Sequence, residues 1–256
     1  MSEPQAATGK YIYCLISCEE PREFTSPGLD ERGTLVHTVH STDLAAVVSD
    51  SPVREWERSR QHMMAHTAVL EEVMQEFTVL PVRFGTVAPS AETLQEQVLQ
   101  RRYDELTGLL AKMGGRVELG LKAFWLEAAI FQEIVADSPP IRKLRDKLQG
   151  RSVEETYFDR ARLGEMVEAS LEQKRDEYAD LLLARLRPLA GEYKLNQLLI
   201  DRMVLNGAFL VDQDRQAEFD EAVRQLDEQL GDRLKFKYVG PVPPYNFVSI
   251  VIQWDS

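Results

Sequence analysis

The sequence predicts an α+β fold in two domains. A flexible tail at 1–9 precedes an N-terminal α+β domain over 10–113, and a C-terminal modified ferredoxin-like domain with inserted helices spans 114–256. Three observations carry this. Short runs of strand type are interleaved with helical patterns throughout, in no regular alternation. Gly114-Gly115 follows a long helical pattern, where adjacent glycines form a natural C-cap and mark the candidate domain boundary. Beyond that boundary the elements read strand, helices, hairpin, helix, strand, the split βαβ order of a ferredoxin-like domain with a helical insertion. The first half is α+β without matching a named arrangement.

Taken in order, Tyr11 to Ile16 is a first strand, followed by a polar loop through Pro21, Pro27 and Gly28. Thr34 to Ser41 alternates, and Leu44 to Val48 follows the turn-forming Ser41-Thr42-Asp43, so the two pair as a hairpin. A helix is expected from Val53 to Glu76, with Trp56, Met63, Leu70, Val73, Met74 and Phe77 on its buried stripe. Thr78 to Val87 reads as a fourth strand. Ser90 is placed as the N-cap of a helix carrying Leu94, Val98 and Leu106 that ends at Met113.

In the second half, Val117, Leu119, Leu121, Ala123 and Trp125 alternate with Glu118 and Lys122, the period of a half-buried strand. Two shorter helices follow, the second opened by Pro139-Pro140 and ended by Gly150. A long helix runs from Glu154 to Arg187 and stops at Pro188. Asn206-Gly207, flanked by Leu198 to Leu205 and Ala208 to Val211, predicts a two-residue hairpin turn. Phe219, Ala222, Val223, Leu226 and Leu230 define a last helix closed by Gly231. Two extended segments, Leu234 to Val239 and Tyr245 to Trp254, finish the chain. Pro241, Pro243 and Pro244 between them lack an N–H, so they belong at an edge or in a rigid unpaired crossing.

The charge balance, 30 Lys and Arg against 42 Asp and Glu, gives a net charge of −12. Such a field repels polyanions, which argues against nucleic acid or anionic lipid as a partner. The basic run Arg142 to Lys147 reads as a solvated helix face. No run of apolar residues is long enough for a membrane span, and Met1 to Gly9 lacks the pattern of a secretory signal. The two cysteines, Cys14 and Cys18, are too far apart for a redox pair and have no second pair to complete a zinc site. Cys14 is expected as a small buried hydrophobe and Cys18 as a loop thiol, consistent with a reducing, cytoplasmic setting.

Candidate chemistry is sparse, and no catalytic residue, cofactor or metal is assigned. His62 and His66 stand one helical turn apart, as a two-histidine metal site requires, but Met63 occupies the position where a thermolysin-like motif needs Glu. Their phase puts both rings on the flank of the apolar stripe, where histidines commonly pack. Glu71-Glu72 and Glu154-Glu155 are adjacent on helices and diverge by about 100°. Nucleophile-elbow and phosphate-loop motifs are absent. The most suggestive charge is Arg83, on a strand otherwise fit for burial, where an arginine must pair with a helix carboxylate or reach a binding surface. Tyr245, Asn246 and Phe247 pose a similar choice between a core seal and an exposed aromatic patch.

Three segments carry a family resemblance: Lys10-Tyr11-Ile12-Tyr13-Cys14-Leu15-Ile16, Leu80-Pro81-Val82-Arg83-Phe84-Gly85-Thr86-Val87, and Val239-Gly240-Pro241-Val242-Pro243-Pro244-Tyr245-Asn246-Phe247-Val248. In this order, they resemble the gas vesicle protein GvpL/GvpF family over nearly the whole chain. The resemblance implies a non-enzymatic accessory protein of gas vesicle formation. Its implied partners are the very apolar major shell protein GvpA and other gas vesicle accessory proteins, and its implied location is the gas vesicle or cytoplasm. Arg83, Phe84, Thr86, Tyr245, Asn246 and Phe247 are then candidate partner-binding or interdomain residues, with Tyr245 to Val248 expected near the domain junction. The alternative is a small-molecule-binding or enzymatic ferredoxin-like protein.

Overall fold

The computed structural model describes residues 8–29 and 34–254. Of the tail expected at 1–9, residues 1–7 lie outside the described residues, while Thr8 and Gly9 already belong to the first strand. The fold is mixed α+β. Its internal contacts group into two compact units, Met1–Glu118 with Pro241–Ser256, and Leu119–Gly240. This grouping differs from the division at Gly114-Gly115, because the segment from Pro241 onward belongs with the first unit.

The first unit is built on a six-stranded sheet. Its strands are β1 (Thr8–Ser17), β2 (Glu23–Phe24), β3 (Val36–Ser41) and β4 (Leu44–Pro52), then, after helix α1 (Arg60–Val73), β5 (Leu80–Pro81) and β6 (Val87–Ala88). The order is β2-β3-β4-β1-β5, with β6 also on β1. The β3–β4 hairpin turns at Thr42-Asp43, Ser41 facing Leu44, with Thr42 at a φ of 54°. β1 is the central strand and its side chains are almost wholly buried. Tyr11, Tyr13, Cys14 and Ile16 form a core with Val69, Leu70 and Val73 of α1.

Two expectations for this unit are corrected. Helix α1 begins at Arg60, not Val53, because β4 continues to Pro52 and Trp56 turns into the core, donating from Nε1 to Ser51 Oγ at 3.1 Å. Ser59 is the N-cap, its hydroxyl accepting from the His62 N–H at 3.2 Å. The strand expected over Thr78 to Val87 is broken into β5 and β6 by a turn at Arg83–Thr86, where Gly85 takes a φ of +87°. Only glycine adopts that geometry without steric cost.

Helix α2 (Ala91–Leu94) is capped by Ser90 Oγ, which accepts from the Thr93 N–H at 3.1 Å. It widens into a π-type stretch at Gln95–Gln100 and resumes as α3 (Tyr103–Met113), ending at Gly114.

The second unit holds most of a four-stranded sheet, in the order β10-β7-β9-β8. Its elements are β7 (Arg116–Trp125), α4 (Glu127–Asp137), α5 (Pro139–Leu148), α6 (Tyr157–Leu186), β8 (Glu192–Leu195), β9 (Met203–Asp212), α7 (Gln216–Leu230) and β10 (Leu234–Val242). Lys174 on α6 ties down α4 through Glu133 at 2.8 Å and Asp137 at 2.7 Å. Trp125 meets Tyr178 edge to face at 4.9 Å.

The hairpin expected at Asn206-Gly207 does not form. Both residues lie inside β9, which runs unbroken and pairs with β8, Leu195 facing Gly207. Packing explains the glycine: a Cβ at 207 would stand 2.8 Å from the Phe209 ring. Asn206 spends its amide on Gln197 O at 2.9 Å, and its carbonyl accepts from the Asn196 N–H at 2.7 Å.

Candidate functional site

The turn at Arg83–Thr86 is fastened at both ends to β1. Val82 N–H donates to Tyr13 O at 3.0 Å and Ile12 N–H to Thr86 O at 3.0 Å. Inside it, the Thr86 hydroxyl donates to Arg83 O at 2.6 Å. Its tip is held from below: the Gly85 N–H donates to the Tyr11 hydroxyl at 3.1 Å. That hydroxyl is also hydrogen-bonded to His66 Nδ1 at 2.9 Å. Phe84 packs edge to face on Tyr11 and His66 at 6.1 and 5.6 Å. His66 is only 3% exposed, and burial lowers its pKa to about 4.

The closing segment reaches the same place. Tyr245 to Trp254 is not a strand: the Pro244 carbonyl accepts from the Phe247 and Val248 N–H groups at 3.0 and 2.9 Å, which curls the chain into a turn. Among the described residues of this segment only Ile250 regains a ladder contact, a parallel bridge to Val82. The turn is anchored by Glu118, a buried carboxylate that accepts from the Asn246 N–H at 2.8 Å and from its side-chain amide.

These segments and α1 enclose a groove of about 440 Å³ lined by Met63, His66, Val82, Phe84, Val248 and Ile250, with Arg58, Arg83 and Tyr245 among its other walls. A second groove of about 540 Å³ lies on the other side of Arg83 and Phe84, bounded by Thr86, Trp56 and Trp254. The six sequence-predicted residues therefore separate. Arg83, Phe84 and Tyr245 share one groove, and Thr86 lines the other. Asn246 and Phe247 serve the turn itself, Asn246 bound to Glu118 and Phe247 buried.

Arg83 is exposed on the turn and, among the described residues, its guanidinium forms no ion pair, so the helix carboxylate considered for it is not its partner. Tyr245 is 42% exposed, with its hydroxyl bonded to Thr67 of α1. His62 and His66 do not converge: His62 Nδ1 lies 2.9 Å from Glu57 O and its ring packs on Trp56, while His66 faces Tyr11. Sequence reasoning missed Glu118, whose alternation placed it on the polar face of β7, and Arg58, which was counted inside a helix.

The chain is similar to known proteins over most of its length. A family model described as gas vesicle synthesis protein GvpL/GvpF matches residues 9–249. A protein named gas vesicle protein F from Dolichospermum flosaquae is 28% identical over 244 residues, covering 94% of this chain and 97% of that protein. The crystal structure of the gas vesicle protein GvpF from Anabaena sp. PCC7120 superposes with a TM-score of 0.83 at 27% identity, covering 96% of this chain and 100% of that one. That of GvpF from Microcystis aeruginosa gives a TM-score of 0.73, also at 27% identity, over 93% and 98% of the two chains.

Proposed function

Because the chain belongs to the gas vesicle synthesis protein GvpL/GvpF family, we propose that it is a non-enzymatic accessory protein of gas vesicle formation that binds the apolar shell protein GvpA. In this reading it assists nucleation or assembly of the shell and works at the gas vesicle or in the cytoplasm around it. The second unit is read as a ferredoxin-like domain with inserted helices. The observation that carries the reading is the groove floored by Val82, Val248 and Ile250, with Phe84 and the exposed Tyr245 at its mouth. Aromatic side chains over an apolar floor are the usual anchors of a protein interface.

A shell subunit with a face too apolar for water aggregates before assembly unless that face is covered. A cover carrying a net charge of −12 would keep the pair in solution. The alternative of a small-molecule enzyme needs a titratable group free to act, and His66, the imidazole of this groove, is engaged by Tyr11 and held neutral. Co-expression with the shell protein should yield a co-purifying complex that the pair F84A/Y245A weakens about tenfold or more. Absence of any complex by pull-down and light scattering would sink the proposal.

A further inference from the structure

We infer that the two grooves meeting at Arg83 receive a carboxylate-bearing apolar segment of a partner protein, gripped by the Arg58 and Arg83 guanidiniums above the apolar floor. The inference rests on the reading of this face as a protein-binding surface, and adds the chemistry of what is bound.

Both arginines line both grooves. Both are exposed, and among the described residues neither guanidinium has an ion-pair partner. That is notable in a chain with 42 acidic and 30 basic residues. Some exposed arginines elsewhere do find carboxylates, as Arg22 does with Glu76 at 2.6 Å and Arg145 with Asp146 at 2.7 Å. Arg54 adds a third cation at the rim, stacked on Trp56 at 4.5 Å. Among the described residues, Glu55 is the one carboxylate in the lining of the second groove, against Arg54, Arg58 and Arg83, and it forms no ion pair with them. An otherwise acidic protein thus presents a locally cationic patch beside apolar side chains. The guanidinium fork matches a carboxylate bidentately, and Met63, Val82, Phe84, Val248 and Ile250 offer nothing to a small hydrated anion.

A phosphate is the poorer fit. Phosphate-binding turns direct free backbone N–H groups at the ligand. Here the Gly85 N–H is taken by Tyr11 at 3.1 Å and the Thr86 N–H by Arg83 O at 3.3 Å. The net charge of −12 opposes an extended anionic membrane, which brings many charges at once, more than a short segment that brings few.

The test uses the full chain on an array of twelve-residue peptides spanning Leu/Glu, Leu/Gln and Leu/Lys compositions. Wild type, R58E/R83E and the fork-removing R58K/R83K are compared, with the single variant R83Q in reserve should the double reversal fail to fold. Wild type should retain Leu/Glu peptides in preference to the other two classes. R58E/R83E should lose them by about tenfold or more and R58K/R83K by less, with affinity falling as salt rises. Equal retention of all three classes, or Leu/Glu retention unchanged in R58E/R83E and R83Q, overturns the inference. So does displacement of the peptides by millimolar inorganic phosphate, or tighter binding to phosphatidylglycerol vesicles than to any peptide. If Leu/Glu peptides bind through the two arginines but the shell protein does not co-purify, the proposed partner is wrong and the groove assignment stands. If the shell protein co-purifies equally with wild type and R58E/R83E, the groove assignment falls and the functional proposal stands.

Discussion

Replacing Tyr11 by Phe removes one oxygen from the centre of the first unit and tests the support under the Arg83–Thr86 turn. That oxygen accepts from the Gly85 N–H at 3.1 Å and is hydrogen-bonded to His66 Nδ1 at 2.9 Å, with Tyr11 wholly buried. In Y11F the imidazole nitrogen is left without a partner in an apolar setting, at a cost of roughly 1–3 kcal/mol. Gly85 lies on a half-exposed turn, so water replaces much of what its N–H loses. We expect a net destabilisation of about 2 kcal/mol, roughly a thirtyfold change in the folded-to-unfolded ratio. Urea unfolding should show a lower midpoint at unchanged slope, and amide exchange at Gly85 should accelerate. H66L strands the phenol in turn, whereas Y11F/H66L removes both polar partners and should cost less than the two singles combined, by about 1 kcal/mol. A Y11F cost below about 0.5 kcal/mol with Gly85 exchange unchanged would refute the claim that this hydroxyl bridges turn and helix.

Burial lowers the His66 pKa from its ordinary 6.5 to about 4, so between those values the unfolded chain binds the proton and the folded one does not. Stability should therefore be full above pH 6.5 and decline as pH falls, by about 3 kcal/mol in total before levelling near pH 4, and H66L should flatten that slope in urea titrations at stepped pH. In the second unit, G207A sets a Cβ 2.8 Å from the buried Phe209 ring and should cost about 1–3 kcal/mol, read from the unfolding midpoint. E118A removes the acceptor of the Asn246 N–H and should destabilise by about 2 kcal/mol, with faster amide exchange from Asn246 to Val248 and earlier proteolytic cleavage after Gly240. Unchanged exchange there would mean that the prolines alone hold the turn.

Most elements were legible because their causes are local. Ser90 caps its helix as its position ahead of Leu94 implied, and Ser41-Thr42-Asp43 turns the β3–β4 hairpin. The helix opened by Pro139-Pro140 starts where proline costs nothing, with Ser138 as its cap. The errors share one feature: each came from a signal with two structural meanings. Asn-Gly marks a tight turn in isolation, but next to Phe209 the glycine is required by a ring that packs across it inside an unbroken strand. Leu80 to Val87 has strand composition, yet Gly85 spends its φ freedom on a turn. Trp56 fits a helical stripe but reaches the core from an extended segment, because Ser51 offers its indole an acceptor.

For the candidate site, the sequence alone selected Arg83, Phe84 and Tyr245 through motif resemblance, and it did so across a separation of 162 residues from Arg83 to Tyr245 that no periodicity connects. It also determined the acidic charge, the helix caps and the proline-rich interruption near the end, since these depend on residue type and near neighbours. Only the tertiary structure decided that the closing segment turns at Pro244, binds Glu118 through Asn246 and bridges Val82 at Ile250. The same holds for the position of His66 beneath the turn and for Arg58 and Arg83 forming no ion pair among the described residues. The reason is physical: backbone preferences and caps act over a few residues. A buried carboxylate finding its donor, or a cation left without one, depends on which distant segments the packed core brings within hydrogen-bond reach.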